Sequence, residues 1–153
     1  MQIGDALSEH ARKKLLLDRL QPFHVYLAES SRKGGAPKYC LLVCLGPCFA
    51  FFINSNLNAN MVWNNEERRL LQVRLSHEEN PFLSNPDGCY IDCSQLVDST
   101  YDLAAVSSII DGQARCVGLI DTASRTLVVQ CVRENGFISD IQRDLILNCL
   151  LGS

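Results

Sequence analysis

The chain has 153 residues, a formal net charge of −3, 47% hydrophobic and 20% charged residues. These totals fit one soluble globular domain with enough chain for a genuine core. They argue against a protein that coats nucleic acid over a wide basic face, and the longest apolar stretch falls short of the roughly 20 residues a membrane helix needs.

The first segment, Asp5–Leu20, carries Leu7, Ala11, Leu15 and Leu16 at helical spacing, and Pro22 stops it. It has acidic residues and no apolar stretch ahead of Arg12-Lys13-Lys14, so it does not read as a secretory signal, and a cytoplasmic protein is expected. Phe23–Leu27 is a short strand. Ala28–Pro37, AESSRKGGAP, is the clearest loop: Gly34, Gly35 and Pro37 break regular structure, and Arg32 and Lys33 make it basic. Such a loop can wrap a phosphate, but it lacks the Gly and Lys-Ser/Thr order of a nucleotide P-loop.

Lys38–Ser55, KYCLLVCLGPCFAFFINS, holds two apolar runs, Tyr39–Leu45 and Cys48–Ile53, split by Gly46-Pro47. They read as two paired, largely buried strands. Pairing brings together the polar residues at both ends, with Ser30 to Lys38 on one side and Asn54, Ser55 and Asn56 on the other. A functional site is expected there. Asn56–Asn65 is an Asn-rich loop in which Met61 and Trp63 cover the core edge or form a contact patch. Glu66–Leu75 ends in a strand with Leu71, Val73 and Leu75 alternating. His77-Glu78-Glu79 has Pro81 where a metalloprotease helix needs its second histidine, so that chemistry is excluded.

Asn80–Gly88 is a turn-rich link, and Cys89–Leu96 alternates as a strand with Tyr90, Asp92 and Ser94 facing solvent or a site. Leu103, Val106 and Ile110 have helical spacing within Thr100–Ile110, and Gly112 ends the segment. Asp121–Arg133 is contested: Thr126, Val128 and Val129 favour strand, whereas Asp121 is a helix cap and Asn135-Gly136 a helix end. Ser139–Leu151 is a final helix capped by Ser139, with Ile141, Leu145, Ile146 and Cys149 as its apolar face.

Eight cysteines are present without a C-x-x-C. On a strand, the four-residue spacing of Cys40 and Cys44, or of Cys89 and Cys93, separates the thiols by roughly 13 Å, too far for one disulfide or one metal ion. Most read as buried thiols; a cysteine enzyme using Cys89 or Cys93 with His77 is a third-ranked reading. The expected class is α+β, one domain over 1–153: a helical extension over 1–22, a strand-rich region over 23–98 forming a small curled antiparallel sheet, and a mainly helical part over 99–153.

The stretch Ala36-Pro37-Lys38-Tyr39-Cys40-Leu41-Leu42-Val43, the strand end Phe52-Ile53-Asn54-Ser55, the strand CYIDCS and the closing Gly136-Phe137-Ile138-Ser139 with its helix resemble the MazF/PemK-like toxin family. The likeness covers residues 23–151. It implies an SH3-like barrel and a metal-independent endoribonuclease of a toxin–antitoxin type system, needing no cofactor or metal. In the family a basic residue just before the second strand and a hydroxyl residue at the end of the third form the cleavage site. Carried over, these are Lys38 and Ser55 as catalytic residues, with Arg32, Lys33 and Asn54 holding the substrate. The family usually has arginine where Lys38 stands and often threonine at Ser55, and this chain lacks its opening Gly-Asp-x-Val pattern before Phe23. The partners implied are single-stranded RNA, an antitoxin-like protein and a second copy of the chain as a homodimer. The competing reading is a non-catalytic protein-interaction module on the same barrel.

Overall fold

A computed structural model describes residues 11, 20–31, 35–56 and 65–152. The predicted N-terminal helix, apart from Ala11 and Leu20, lies outside the described residues, as do Arg32, Lys33, Met61 and Trp63.

The elements run β1 (His24–Ala28), β2 (Lys38–Cys44), β3 (Phe49–Asn54), α1 (Glu66–Arg69), β4 (Gln72–Leu75), β5 (Cys89–Val97), α2 (Leu103–Ile110), β6 (Arg115–Leu119), α3 (Thr122–Glu134) and α4 (Asp140–Leu151). The six strands form one curled antiparallel sheet in the order β4-β5-β3-β2-β1-β6. Its ladders are interrupted between Val25 and Tyr26, between Leu42 and Cys44, and between Phe51 and Ile53. Extra residues on one strand bend it and sharpen its twist, which curls the sheet.

The hairpin predicted from the central apolar stretch is present: β2 and β3 pair from Tyr39↔Ile53 to Leu42↔Ala50 and beyond. Its lack of charge has a direct cause, because both faces are covered. Leu41, Val43, Phe51 and Ile53 join Val128, Val132 and Ile146 of α3 and α4 on one side. Cys40, Leu42, Ala50 and Phe52 join Ala105, Val106 and Ile109 of α2 on the other. Each such Leu, Ile or Val side chain taken fully out of water contributes about 1.5–3 kcal/mol.

The conflict over 121–133 resolves as helix. Asp121 accepts from Ser124 N (3.0 Å) and Ser124 Oγ (2.7 Å), closing the first turn. Ser124, Val128, Cys131 and Val132 then form one buried stripe, so packing overrides the β-branched composition. The last helix has its expected cap, with Ser139 and Gln142 making a reciprocal capping box. Ile141 is a correction: it is 74% exposed and not part of the buried face. Of the two expectations for Ser94, solvent or a site, solvent is excluded: it is buried, with its hydroxyl on Asp92. Strand β6, which pairs with β1, was not foreseen within the mainly helical C-terminal part.

Candidate nucleic-acid interface

Lys38 opens β2 and Asn54 closes β3, and the Tyr39↔Ile53 pairing sets the two side by side. Lys38 Nζ donates to Asn54 Oδ1 at 2.7 Å and lies 4.6 Å from the centroid of the Phe52 ring. The register continues across the sheet, since Asn54 pairs with Tyr90 and Tyr90 with Arg74. Directly paired residues on antiparallel strands share a face. Lys38, Asn54, Tyr90 and Arg74 therefore form one row across β2, β3, β5 and β4, about 14 Å long at the usual strand spacing. Arg74 is exposed and the other three are half-buried.

Beside this row, Gln72 Nε2 donates to Asp92 Oδ1 at 2.8 Å. The same carboxylate oxygen accepts from Ser94 N and Ser94 Oγ, in the local turn that Asp favours. The one acidic side chain of these two rows is thus already engaged by neutral donors, while Arg74 contributes a second cation, its Nη2 donating to Asp87 O at 3.0 Å.

The basic loop is anchored at its base. Ser30 Oγ donates to Asp102 Oδ2 at 2.7 Å, and Ser31 N and Oγ donate to Asp102 Oδ1 at 3.2 and 3.1 Å. Asp102 also caps α2 through Ala105 N, and Glu29 N donates to Ser108 Oγ in the same helix. Burial by itself pushes the Asp102 carboxyl up, but the hydrogen bonds from Ser30, Ala105 and Ser31 outweigh it and hold the group below the usual carboxylate value. Because Ala28 pairs with Lys38, the anchored loop leaves β1 and enters β2 at the same end of the sheet as the polar row.

The sequence-predicted residues are thus distributed unequally. Lys38 and Asn54 are in contact. Ser55 follows them on the exposed strand end, its carbonyl accepting from Asn85 Nδ2 at 3.4 Å. Tyr90 and Asp92 were placed on an outward strand face by alternation, and they are there. Arg74 and Gln72 were missed, although the burial of Leu71, Val73 and Leu75 already implies that 72 and 74 point to the other face.

The described histidines lie elsewhere. His24 Nδ1 is 3.1 Å from Pro22 O, and His77 Nδ1 is 2.6 Å from Leu83 O. Burial raises the thiol values of Cys89 and Cys93, which removes thiolate and opposes the reading of either as an enzyme nucleophile. A separate open concavity of about 420 Å³ is lined by residues including Arg68, Gln95, Asp98, Tyr101 and Gln142. There the Arg68 guanidinium stacks over Phe137 at 4.6 Å.

Among the described residues, no group of three or more His, Cys, Asp and Glu is placed to hold a metal ion, and no helix is long and apolar enough to cross a membrane. No family model, no curated protein and no solved structure matches the chain. The chain is an α+β protein with a curled six-stranded antiparallel sheet and a polar, cation-bearing row on one sheet face.

Proposed function

We propose that this protein is a metal-independent endoribonuclease of the MazF/PemK-like toxin kind, built on an SH3-like barrel and acting on single-stranded RNA at the Lys38–Asn54 end of its sheet. The observation that carries the reading is the row Lys38–Asn54–Tyr90–Arg74, which joins two cations, an amide and an aromatic ring on one accessible face. Single-stranded RNA is held by such sets: cations track phosphates and an aromatic ring stacks an unpaired base. The net charge of −3 confines attraction to this local site.

In the cleavage step the ribose 2′-hydroxyl gives its proton to solvent water as its oxygen attacks the adjacent phosphorus and forms the 2′,3′-cyclic phosphate; the P–O5′ bond breaks and the leaving 5′-oxygen takes a proton from solvent. Lys38 stabilises the charge that builds on the non-bridging oxygens, and Asn54 fixes the ammonium where that charge develops. Ser55 and the amide of Asn54 donate to phosphate oxygens, and Arg32 and Lys33 clamp the backbone from the loop whose base Asp102 holds. An antitoxin-like protein would inhibit by occupying the same row.

The test is incubation of pure protein with an RNA containing long unpaired loops, in chelator, beside Lys38→Ala, Asn54→Ala and Ser55→Ala. Cleavage by the parent protein, lost or reduced at least tenfold in Lys38→Ala, supports the reading. Intact RNA in every tube, with folded protein confirmed by circular dichroism, overturns it in favour of the non-catalytic interaction module.

A further inference from the structure

The open concavity beside α1 is lined by two opposite charges that do not pair with each other, Arg68 and Asp98. Arg68 is held firmly: its backbone N–H donates to Asn65 Oδ1 and its carbonyl accepts from Gln72 Nε2, both at 3.2 Å. The Phe137 ring supports its guanidinium from one side. Nη1 is buried without a hydrogen-bond partner, and Arg68 makes no ion pair among the described residues. A cationic donor taken out of water unpaired is costly, and an anion is the group that offsets the cost. Asp98 has one oxygen committed, its Oδ1 accepting from Tyr101 N at 2.8 Å, while Oδ2 accepts no hydrogen bond among the described residues. A ligand that suits both groups is two-ended, with an anion at one end and N–H donors at the other. The cleft also adjoins the polar row by two routes. Ser94 on its wall donates to Asp92. Tyr101 on its wall packs on Phe52, with ring centroids 6.3 Å apart, and Phe52 carries the Lys38 ammonium. Its volume of about 420 Å³ lies in the range of small-ligand clefts.

We propose that this cleft is a guanine-nucleotide subsite of the RNA site, with a phosphate on Arg68 and the Watson–Crick edge of the base on Asp98. Unpaired bases are read on that edge. Guanine presents N1–H and N2–H side by side, so both donate to one carboxylate. Uracil offers a single N–H between two carbonyls, which a carboxylate repels. Gln142 assists at the phosphate: its Oε1 accepts from Ser139 N at 2.9 Å, which leaves its Nε2 donors for the ligand. The ligand class rests on the RNA reading above, but binding in the cleft does not require cleavage.

The experiment titrates the folded full chain by calorimetry with guanosine 5′-monophosphate, uridine 5′-monophosphate, guanosine and inorganic phosphate, none of which holds a phosphodiester to cleave. Guanosine 5′-monophosphate should bind saturably and about tenfold more tightly than each of the other three. Arg68→Gln should bring it down to the affinity of guanosine, and Asp98→Asn should erase its advantage over uridine 5′-monophosphate. Equal binding of the guanine nucleotide and guanosine removes the phosphate contact, and equal binding of the two nucleotides removes the base contact. Either result overturns the proposal, as does inorganic phosphate binding as tightly as the guanine nucleotide, or no binding of that nucleotide. These comparisons use the parent protein, so they decide the case even if a variant unfolds. RNA cleavage without guanine-nucleotide binding sinks the subsite and leaves the ribonuclease reading standing. Guanine-nucleotide binding with RNA left intact does the reverse.

Discussion

Ser30 Oγ donates a 2.7 Å hydrogen bond to Asp102 Oδ2 across 72 positions of the chain. That bond, with two more from Ser31, ties the start of the basic loop to the N-terminus of α2. One carboxylate therefore positions both a helix and the loop that leads to Lys38.

Its pH dependence follows from sign. The folded Asp102 carboxyl lies below the unfolded value, about 3.9, because the hydrogen bonds outweigh desolvation. Its contribution is full above the unfolded value and is lost as pH falls through the folded value. The thermal midpoint of the parent protein should drop on acidification below about pH 4, and Asp102→Asn should drop less steeply while starting lower at neutral pH. Asp102→Ala removes a helix cap and strands buried donors, costing about 2–3 kcal/mol at pH 7 in denaturant unfolding. An unchanged acid limb in Asp102→Asn would remove Asp102 as its cause.

Two glycines make an internal control. A Cβ on Gly118 of β6 would overlap the Phe82 ring, whereas one on Gly46 meets nothing within 4 Å. Gly118→Ala should cost about 1–3 kcal/mol as Phe82 is forced aside. Gly46→Ala should stay within about 0.5 kcal/mol of the parent protein. Equal midpoints in urea for the two variants would show that Phe82 yields freely.

The same pair of positions shows what the sequence could carry. The β2–β3 hairpin was legible because its residues are buried on both faces and so read as unbroken apolar runs. Strand β6, with Arg115, Cys116 and Leu119 exposed and Val117 and Gly118 only half-buried, has no such signal and is held by its pairing to β1. Helix α3 was half-legible: its cap was visible at Asp121, but the buried stripe that decides it depends on the sheet beneath. For the candidate site, Lys38 and Asn54 were foreseen together because a hairpin fixes their proximity locally. Arg74 joins them only through register across β4, β5 and β3, with an interruption between Phe51 and Ile53 that local pattern does not encode.

Asn80 is fully buried and joins the 76–83 turn to α3. Its Nδ2 donates to Asp121 Oδ1 and its Oδ1 accepts from Asp121 N, both at 3.0 Å. Replacing it with alanine leaves the Asp121 backbone N–H without its acceptor and Asp121 Oδ1 with Ser124 Oγ as its remaining donor. Asn80→Ala should lower stability by about 2–3 kcal/mol, and Asn80→Asp should be worse near neutral pH, where a second carboxylate faces Asp121. Hydrogen exchange should show the loss first in the opening turn of α3. If alanine and aspartate behave alike at pH 7, like-charge repulsion is not the cause.

Arg74 offers the most specific check on the RNA reading, because it is exposed and sits outside the protein's core. On that reading its guanidinium would meet a phosphate at the far end of the row from Lys38, a role that is electrostatic and independent of base identity. Arg74→Gln should leave the fold intact, since the bond it loses goes to an exposed turn carbonyl at Asp87. RNA affinity should fall several-fold at low salt. The slope of log affinity against log salt should shrink by about 0.7, the share of one single-strand phosphate contact. Tyr90→Ala makes the complementary case: stacking loss should weaken binding by about 1–3 kcal/mol without altering that slope. A slope unchanged in Arg74→Gln would take Arg74 out of the interface, whatever becomes of Lys38.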